Sequence, residues 1–320
     1  MDIYNKRWGG LIAIALLACL LMGASIHAAE SSQVELTPGY AESVAAYGMT
    51  PDGSGEVHFR LARFPERGKG TVWLSMFING QFLNFVDDDV NLPPGDRATP
   101  IKTKSATFKV AFTERYRVTT FDRHSGKMIG YITADALAHT SPHPLAGNGT
   151  VPVSLKLEFR AIHSGIRVRY GRLEIFGTVR AIIKTPQGLF SIEGTGKWHE
   201  QTGQRPNFAP RFTYIWGGNK DTGIVARSGP GRHWGYINEN RVVTMINEFL
   251  IAPLVNSQDI APRNFALNLA DGRIIRGVAH TLRKSSVPIE GSRRPSATIR
   301  LESELGLLVV HLNDWIPPVK

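Results

Sequence analysis

From residue 57 onward, apolar and polar residues alternate with a period of two. Val57, Phe59 and Leu61 are separated by His58, Arg60 and Ala62, which places the two sets on opposite faces of an extended strand. Val72, Leu74, Met76 and Ile78 repeat the pattern, and Asn79-Gly80 then offers the pair that tolerates positive φ in a tight hairpin. Further alternating faces run through Ala106, Phe108, Val110 and Phe112, through Tyr116, Val118 and Thr120, and through Val153, Leu155, Leu157 and Phe159. In the second half, strands over 172–184 and 189–194 flank the turn Thr185-Pro186-Gln187-Gly188. Strands over 264–269 and 273–281 flank Asp271-Gly272, and 297–301 with 307–312 close the series. Only 41–47 and 133–138 read as short helices. Strands joined by short turns pair antiparallel, so the pattern predicts an all-β chain built as sandwiches or barrels.

The amino terminus follows a different rule. Lys6 and Arg7 precede an aliphatic run over 11–22, and small residues extend to Ala28 and Ala29. This is the order of a secretory signal, with an apolar stretch too short to span a bilayer. Residues 1–29 are therefore expected to be a removable signal and the protein to be periplasmic or secreted. Lipidation of Cys19 is the alternative fate of this segment. Cys19 is the only cysteine, so a mature chain has no disulfide and no thiolate metal site.

The formal net charge is +10, which favours anionic surfaces. The basic residues are scattered along strand-like segments such as Arg167, Arg169 and Arg172. They lack the dense patch with interleaved aromatics of a nucleic-acid reader, and solvated outer strand faces are the simpler reading. No nucleic-acid partner is expected.

The stretch from Gly194 through Trp198-His199-Glu200-Gln201 to Arg205 is the densest in candidate chemistry. It lacks the Lys-Ser/Thr of a phosphate loop, and no second histidine follows His199-Glu200 at the spacing of a zinc protease. It reads as a strand ending in a polar cluster.

This segment resembles the strand-loop signature of the hydroxyneurosporene synthase-like (carotenoid 1,2-hydratase-like) and AttH-like proteins. Gly194, Gly196 and Gly203 stand at that signature's glycine positions, and Arg205 matches a basic residue just beyond. Residues 212–216, the turn near 219–223 and Gly235-Tyr236-Ile237 resemble the strands that follow. The resemblance spans about residues 55–315. It implies two lipocalin-like β-barrels in tandem around a hydrophobic ligand cavity, here taken as residues 30–200 and 201–320, with no bound cofactor. It also implies that some relatives hydrate, cyclise or isomerise isoprenoid-type substrates. The chain departs where the family's acidic residue falls on His199, its His or Arg on Glu200 and its Trp on Thr202.

Glu200 is the candidate proton donor, raised in pKa by a dry wall, with His199 as partner or base. The alternative is that both are hydrogen-bonded anchors. Trp198, Gln201, Arg205, Trp216, Trp234 and Tyr236 are the candidate ligand contacts, against core packing as the plainer role of each aromatic. Asp87-Asp88-Asp89 reads as a solvated turn in preference to a calcium site, and prolines 142 and 144 forbid the helix that would align His139 with His143. No metal is expected. The favoured reading is an exported protein that binds a lipid, isoprenoid or similar hydrophobic molecule. A hydratase, cyclase or isomerase of the same fold comes second. An envelope assembly protein using basic faces on an anionic surface comes third.

Overall fold

The computed structural model describes residues 39–91, 108–123, 125–142, 149–162, 165–168, 171–204, 211–229, 233–252, 261–286 and 294–315. The signal segment, Arg205, His124, His143, His163 and Asn148 lie outside them. Among the described residues the regular structure is strand, apart from one 3₁₀ turn over Pro65–Arg67.

The first sheet contains β1 (Tyr40–Met49), β2 (Glu56–Phe64), β3 (Lys69–Ile78), β4 (Gln81–Asn91), β5 (Phe108–Thr113), β6 (Tyr116–Phe121), β7 (Ile129–His139), β8 (Thr150–Ala161), β9 (Ile166–Val168), β10 (Arg172–Thr185) and β11 (Gly188–Gln204). Its order is β4-β3-β2-β1-β11-β10-β8-β7-β6-β5, with β9 beside β10. A single pairing of Asn84 with His139 joins β4 to β7 and closes the first eight of these strands into a barrel. The buried Asn84 side chain secures the closure: its amide donates to the Ser141 carbonyl and its oxygen accepts from Ser75.

The second sheet is a closed eight-stranded barrel in chain order: β12 (Phe212–Gly218), β13 (Thr222–Ser228), β14 (Trp234–Glu239), β15 (Val242–Ile251), β16 (Arg263–Leu269), β17 (Ile274–Ser286), β18 (Pro295–Ser303) and β19 (Gly306–Trp315). The changeover between barrels thus falls among residues 205–211. Closure removes free strand edges.

Each barrel has an interior core of buried side chains. Phe59, Leu74, Leu157, Phe159 and Trp198 pack the first, and Ile237, Phe249, Leu267, Ile299 and Leu312 pack the second. Each such side chain contributes about 1.5–3 kcal/mol by leaving water.

Both expected helices are strands. Residues 41–47 lie in β1, paired on one side to β2 and on the other to β11, where two ladders override the helix propensity of alanine. Ala45 sits there, fully buried, in one cross-strand row between Arg60 and His199. Residues 133–138 lie in β7, where Ala134 and Ala138 face inward and Asp135 and Leu137 outward.

A second correction concerns the polar phase of β2. His58 and Arg60 do not face water: every residue from Glu56 to Arg63 is buried. The outer face of β1, β2, β10 and β11 is covered by the outer face of the second barrel. Met49, Phe176, Trp216, Val225, Tyr236 and Val309 form the apolar centre of this seam. A Cβ on Gly223 would lie 2.6 Å from the Phe176 ring, so the two sheets come this close only because that residue is glycine.

Candidate functional site

The antiparallel registers of the first barrel set its seam-facing residues in rows. One row runs His58, Tyr47, Lys197, Phe176 across β2, β1, β11 and β10. The next, two residues along each strand, runs Trp73, Arg60, Ala45, His199, Glu174. Side chains of one parity share a face, so ionisable groups scattered over 140 positions of sequence become neighbours.

The second barrel answers with its own rows. Tyr236, Val225, Trp216, His311, Thr298 and Arg283 are successive cross-strand partners from β14 round to β17. Trp234, Arg227, Tyr214, Asn313 and Ser296 make the adjacent row.

Where the rows meet, Glu174 organises the first of two polar groups. Its Oε1 lies 3.0 Å from His199 Nδ1, and its Oε2 lies 3.0 Å from Lys197 Nζ. Tyr214 Oη reaches Glu174 Oε1 at 3.4 Å and accepts a short hydrogen bond from Lys197. Lys197 is 1% exposed. Its ammonium is ringed by Tyr214, Tyr47 and Trp216, with centroids 4.8, 5.2 and 5.8 Å away. Arg172 stands over Trp234 at 5.0 Å and over Tyr214 at 5.8 Å, so it belongs to the seam and not to a solvated strand face.

Burial sets the protonation states. Desolvation pulls Lys197 down to about 8, against the opposing pull of Glu174. The same cause draws His199 down to about 4, again opposed by Glu174. Burial alone would raise Glu174, but Lys197, His199 and Arg172 outweigh it and hold the carboxyl below its usual range. Burial and the Glu174 charge push the Tyr214 phenol well up. At neutral pH the group therefore contains a carboxylate, a neutral imidazole and an ammonium poised to release its proton. Tyr236, fully buried beside it, has a hydroxyl without a hydrogen-bond partner.

The second group surrounds Glu56. His311 Nδ1 lies 2.6 Å and His58 Nε2 2.5 Å from Glu56 Oε1, while Arg283 Nη2 lies 2.7 Å from Oε2 and Thr298 also donates to Oε2. Trp216 and Tyr47 stand between the two groups: Trp216 stacks on His311 at 5.6 Å, and Tyr47 meets the His58 ring at 5.3 Å.

Of the residues singled out in the sequence, His199, Gln201, Trp216, Trp234 and Tyr236 come together at the seam. Gln201 accepts from Arg172 at 3.4 Å. Trp198 and Glu200 have the opposite parity on β11 and point into the first barrel. There Glu200 forms a buried ion pair with Arg123 and accepts from Trp198 Nε1 at 2.9 Å. His199 and Glu200, adjacent in sequence, are thus on opposite faces of the strand and share no contact. Asp87-Asp88-Asp89 lies within β4, with Asp89 paired to Lys69 at 2.8 Å. Sequence reasoning missed Glu174, Lys197, Tyr214 and the whole Glu56 group. The signal it passed over is in β12 and β14, where the aromatics Tyr214, Trp216 and Tyr236 hold one strand phase and Ile215 and Ile237 the other, so that apolar residues occupy both phases, a mark of burial on both faces.

A cleft of about 240 Å³ opens at the rim of the seam, lined by Phe176, Thr195, Gly218, Asn238, Asn240 and Arg241 among others. Asn238 is buried, and its amide nitrogen has no hydrogen-bond partner. Phe176 lines the cleft on one side and meets Tyr236 edge-on at 5.9 Å on the other.

No protein-family model matches the chain, and no curated protein sequence does. Solved structures do match in fold. CghA superposes with a TM-score of 0.53 at 6% identity over 88% of this chain and 89% of its own. Kievitone hydratase from Nectria haematococca gives 0.53 at 10% identity over 87% and 89%. A structure assigned as AttH from Nitrosomonas europaea gives 0.53 at 8% identity over 88% and 93%. At these identities the likeness is one of architecture, and the chain has the tandem lipocalin-like barrel fold of these three proteins.

Proposed function

We propose that the chain is a proton-transfer enzyme of the hydratase, cyclase or isomerase kind, acting on an unsaturated hydrophobic small molecule at the seam between its barrels. The observation that carries this reading is Lys197. A lysine 1% exposed, with its pKa drawn down to about 8 beside an ionised Glu174 and a neutral His199, is an acid matched to neutral pH. In this reading Lys197 protonates the substrate, and His199, steadied by Glu174, takes the proton from water or from carbon. Tyr236 holds a polar substituent through its unpartnered hydroxyl. The substrate enters by the cleft, with Phe176 turning aside to join it to the seam.

The cleft at the rim of the seam and the buried polar group beside it favour ligand binding at the seam over binding inside a barrel. That one fold neighbour is a hydratase fits this chemistry. The experiment is native mass spectrometry of protein from its own host, followed by incubation of the co-purified molecule in deuterated water. The expected result is deuterium fixed on carbon by the native chain and not by Lys197→Met. Equal incorporation by both would contradict it.

The proposal includes export, supported by residues 1–29 alone. The exported chain is expected to begin near Glu30 by intact mass, and an exported fraction retaining residues 1–28 would contradict this.

A further inference from the structure

Glu56, His58 and His311 have no part in the chemistry proposed for Lys197, yet they form the tightest gathering of ligating side chains among the described residues. One donor atom from each lies within 4.8 Å of the other two, and all three residues are buried. Glu56 and His58 sit two apart on β2, on the same face, and His311 comes from β19 across the seam. The three side chains are only 8%, 3% and 5% exposed. Two imidazoles and one carboxylate form a donor set typical of zinc and similar divalent transition ions.

Two observations separate this triad from an ordinary hydrogen-bonded brace. His58 Nε2 lies 2.5 Å from Glu56 Oε1 but out of line for a well-formed hydrogen bond, so the contact between them is one of close approach and charge. His311 Nε2 is buried without a hydrogen-bond partner. Moreover, the surroundings fix the ligands as a metal site requires. Trp216 packs on both rings, with centroids 5.0 Å from His58 and 5.6 Å from His311. Arg283 and Thr298 engage the outer oxygen of Glu56 and leave Oε1 to face the imidazoles.

We infer that Glu56, His58 and His311 form a binding site for a divalent transition ion of the zinc class, which joins the two barrels. An ion about 2.1 Å from each donor spaces tetrahedral donors about 3.4 Å apart, so Glu56 Oε1 moves back by about 1 Å on loading. Three protein donors leave a fourth position for water.

The test uses the exported chain, stripped with chelator and desalted after exposure to Zn²⁺ or Co²⁺. The expected result is one tightly held ion per chain, a visible Co²⁺ absorption band, and quenching of tryptophan fluorescence by Co²⁺ through Trp216. His58→Gln and His311→Gln should each weaken binding by at least about 100-fold, whereas His280→Gln should not. Where a variant fails to fold, X-ray absorption of the cobalt-loaded native chain decides the ligands: two imidazoles with oxygen support the site. A native chain that retains no ion, or triad variants that bind it as tightly as the native chain, would overturn it and leave a brace of hydrogen bonds.

Discussion

Lys197 and Glu200 lie three residues apart on one strand and play opposite parts. Lys197 faces the seam, where its charge is stabilised by one carboxylate and three aromatic rings. Glu200 faces the interior of the first barrel, bound to Arg123 and Trp198. Replacing Lys197 with Met keeps the length but removes the proton, and turnover is expected to fall about 100-fold or more, measured on the co-purified substrate. Glu200→Gln removes the charge partner of a buried guanidinium. It should cost about 3–5 kcal/mol in stability, seen as a lower melting temperature, with turnover of the remaining folded protein retained. The reverse assignment, catalysis lost with Glu200 and kept without Lys197, would contradict the seam as the reacting site.

At the scale of the strand, the decisive variable is which face meets the other barrel. Period-two patterning located β2, β3, β6, β8, β10 and β16–β19 and the hairpins at Asn79-Gly80, Thr185–Gly188 and Asp271-Gly272, because a buried interior imposes alternation directly on sequence, but it named no strand at β13 or β15. It also put His199 and Glu200 on opposite faces, had parity been applied to them. It could not show that His58 and Arg60 are buried, because an outer face against a second barrel and an outer face against water carry the same polar letters. Nor could it find Glu174 beside His199, since their proximity rests on the β10–β11 register. Residues 41–47 misled because alanines at 41, 45 and 46 look like helix formers, while the pairing of this segment with β2 and β11 is a matter of register that local sequence does not show. The close approach of the barrels gives its own test. Gly223→Ala places a methyl 2.6 Å from the Phe176 ring and should cost about 1–3 kcal/mol. With Phe176→Ala as background, the penalty should shrink to a fraction. Additive losses in that cycle would mean that the two residues do not touch.

For the whole molecule, a seam with buried titratable groups makes stability depend on pH in a fixed direction. His199 has its folded pKa lowered from 6.5 to about 4, so between these values the unfolded chain binds the extra proton. Stability contributed by the neutral imidazole is full above 6.5 and is lost as pH falls toward 4. Glu174, also lowered, adds loss in the same direction below its unfolded value of 4.5. Lys197 extends the trend upward, with stability rising from about 8 toward 10.5. Melting temperature measured from pH 4 to 7 should therefore climb, and His199→Phe should flatten the climb. A decline over that interval would reverse the sign required by a buried neutral histidine.

The most direct test of the account is the titration of Lys197 itself, which needs neither substrate nor turnover. Carbon-13 NMR of side-chain-labelled lysine follows each ammonium separately. The account predicts one resonance with a midpoint near 8, below the ordinary lysine value of about 10.4 and absent from Lys197→Met. A native chain in which every lysine titrates at or above that ordinary value would contradict a poised acid in the seam.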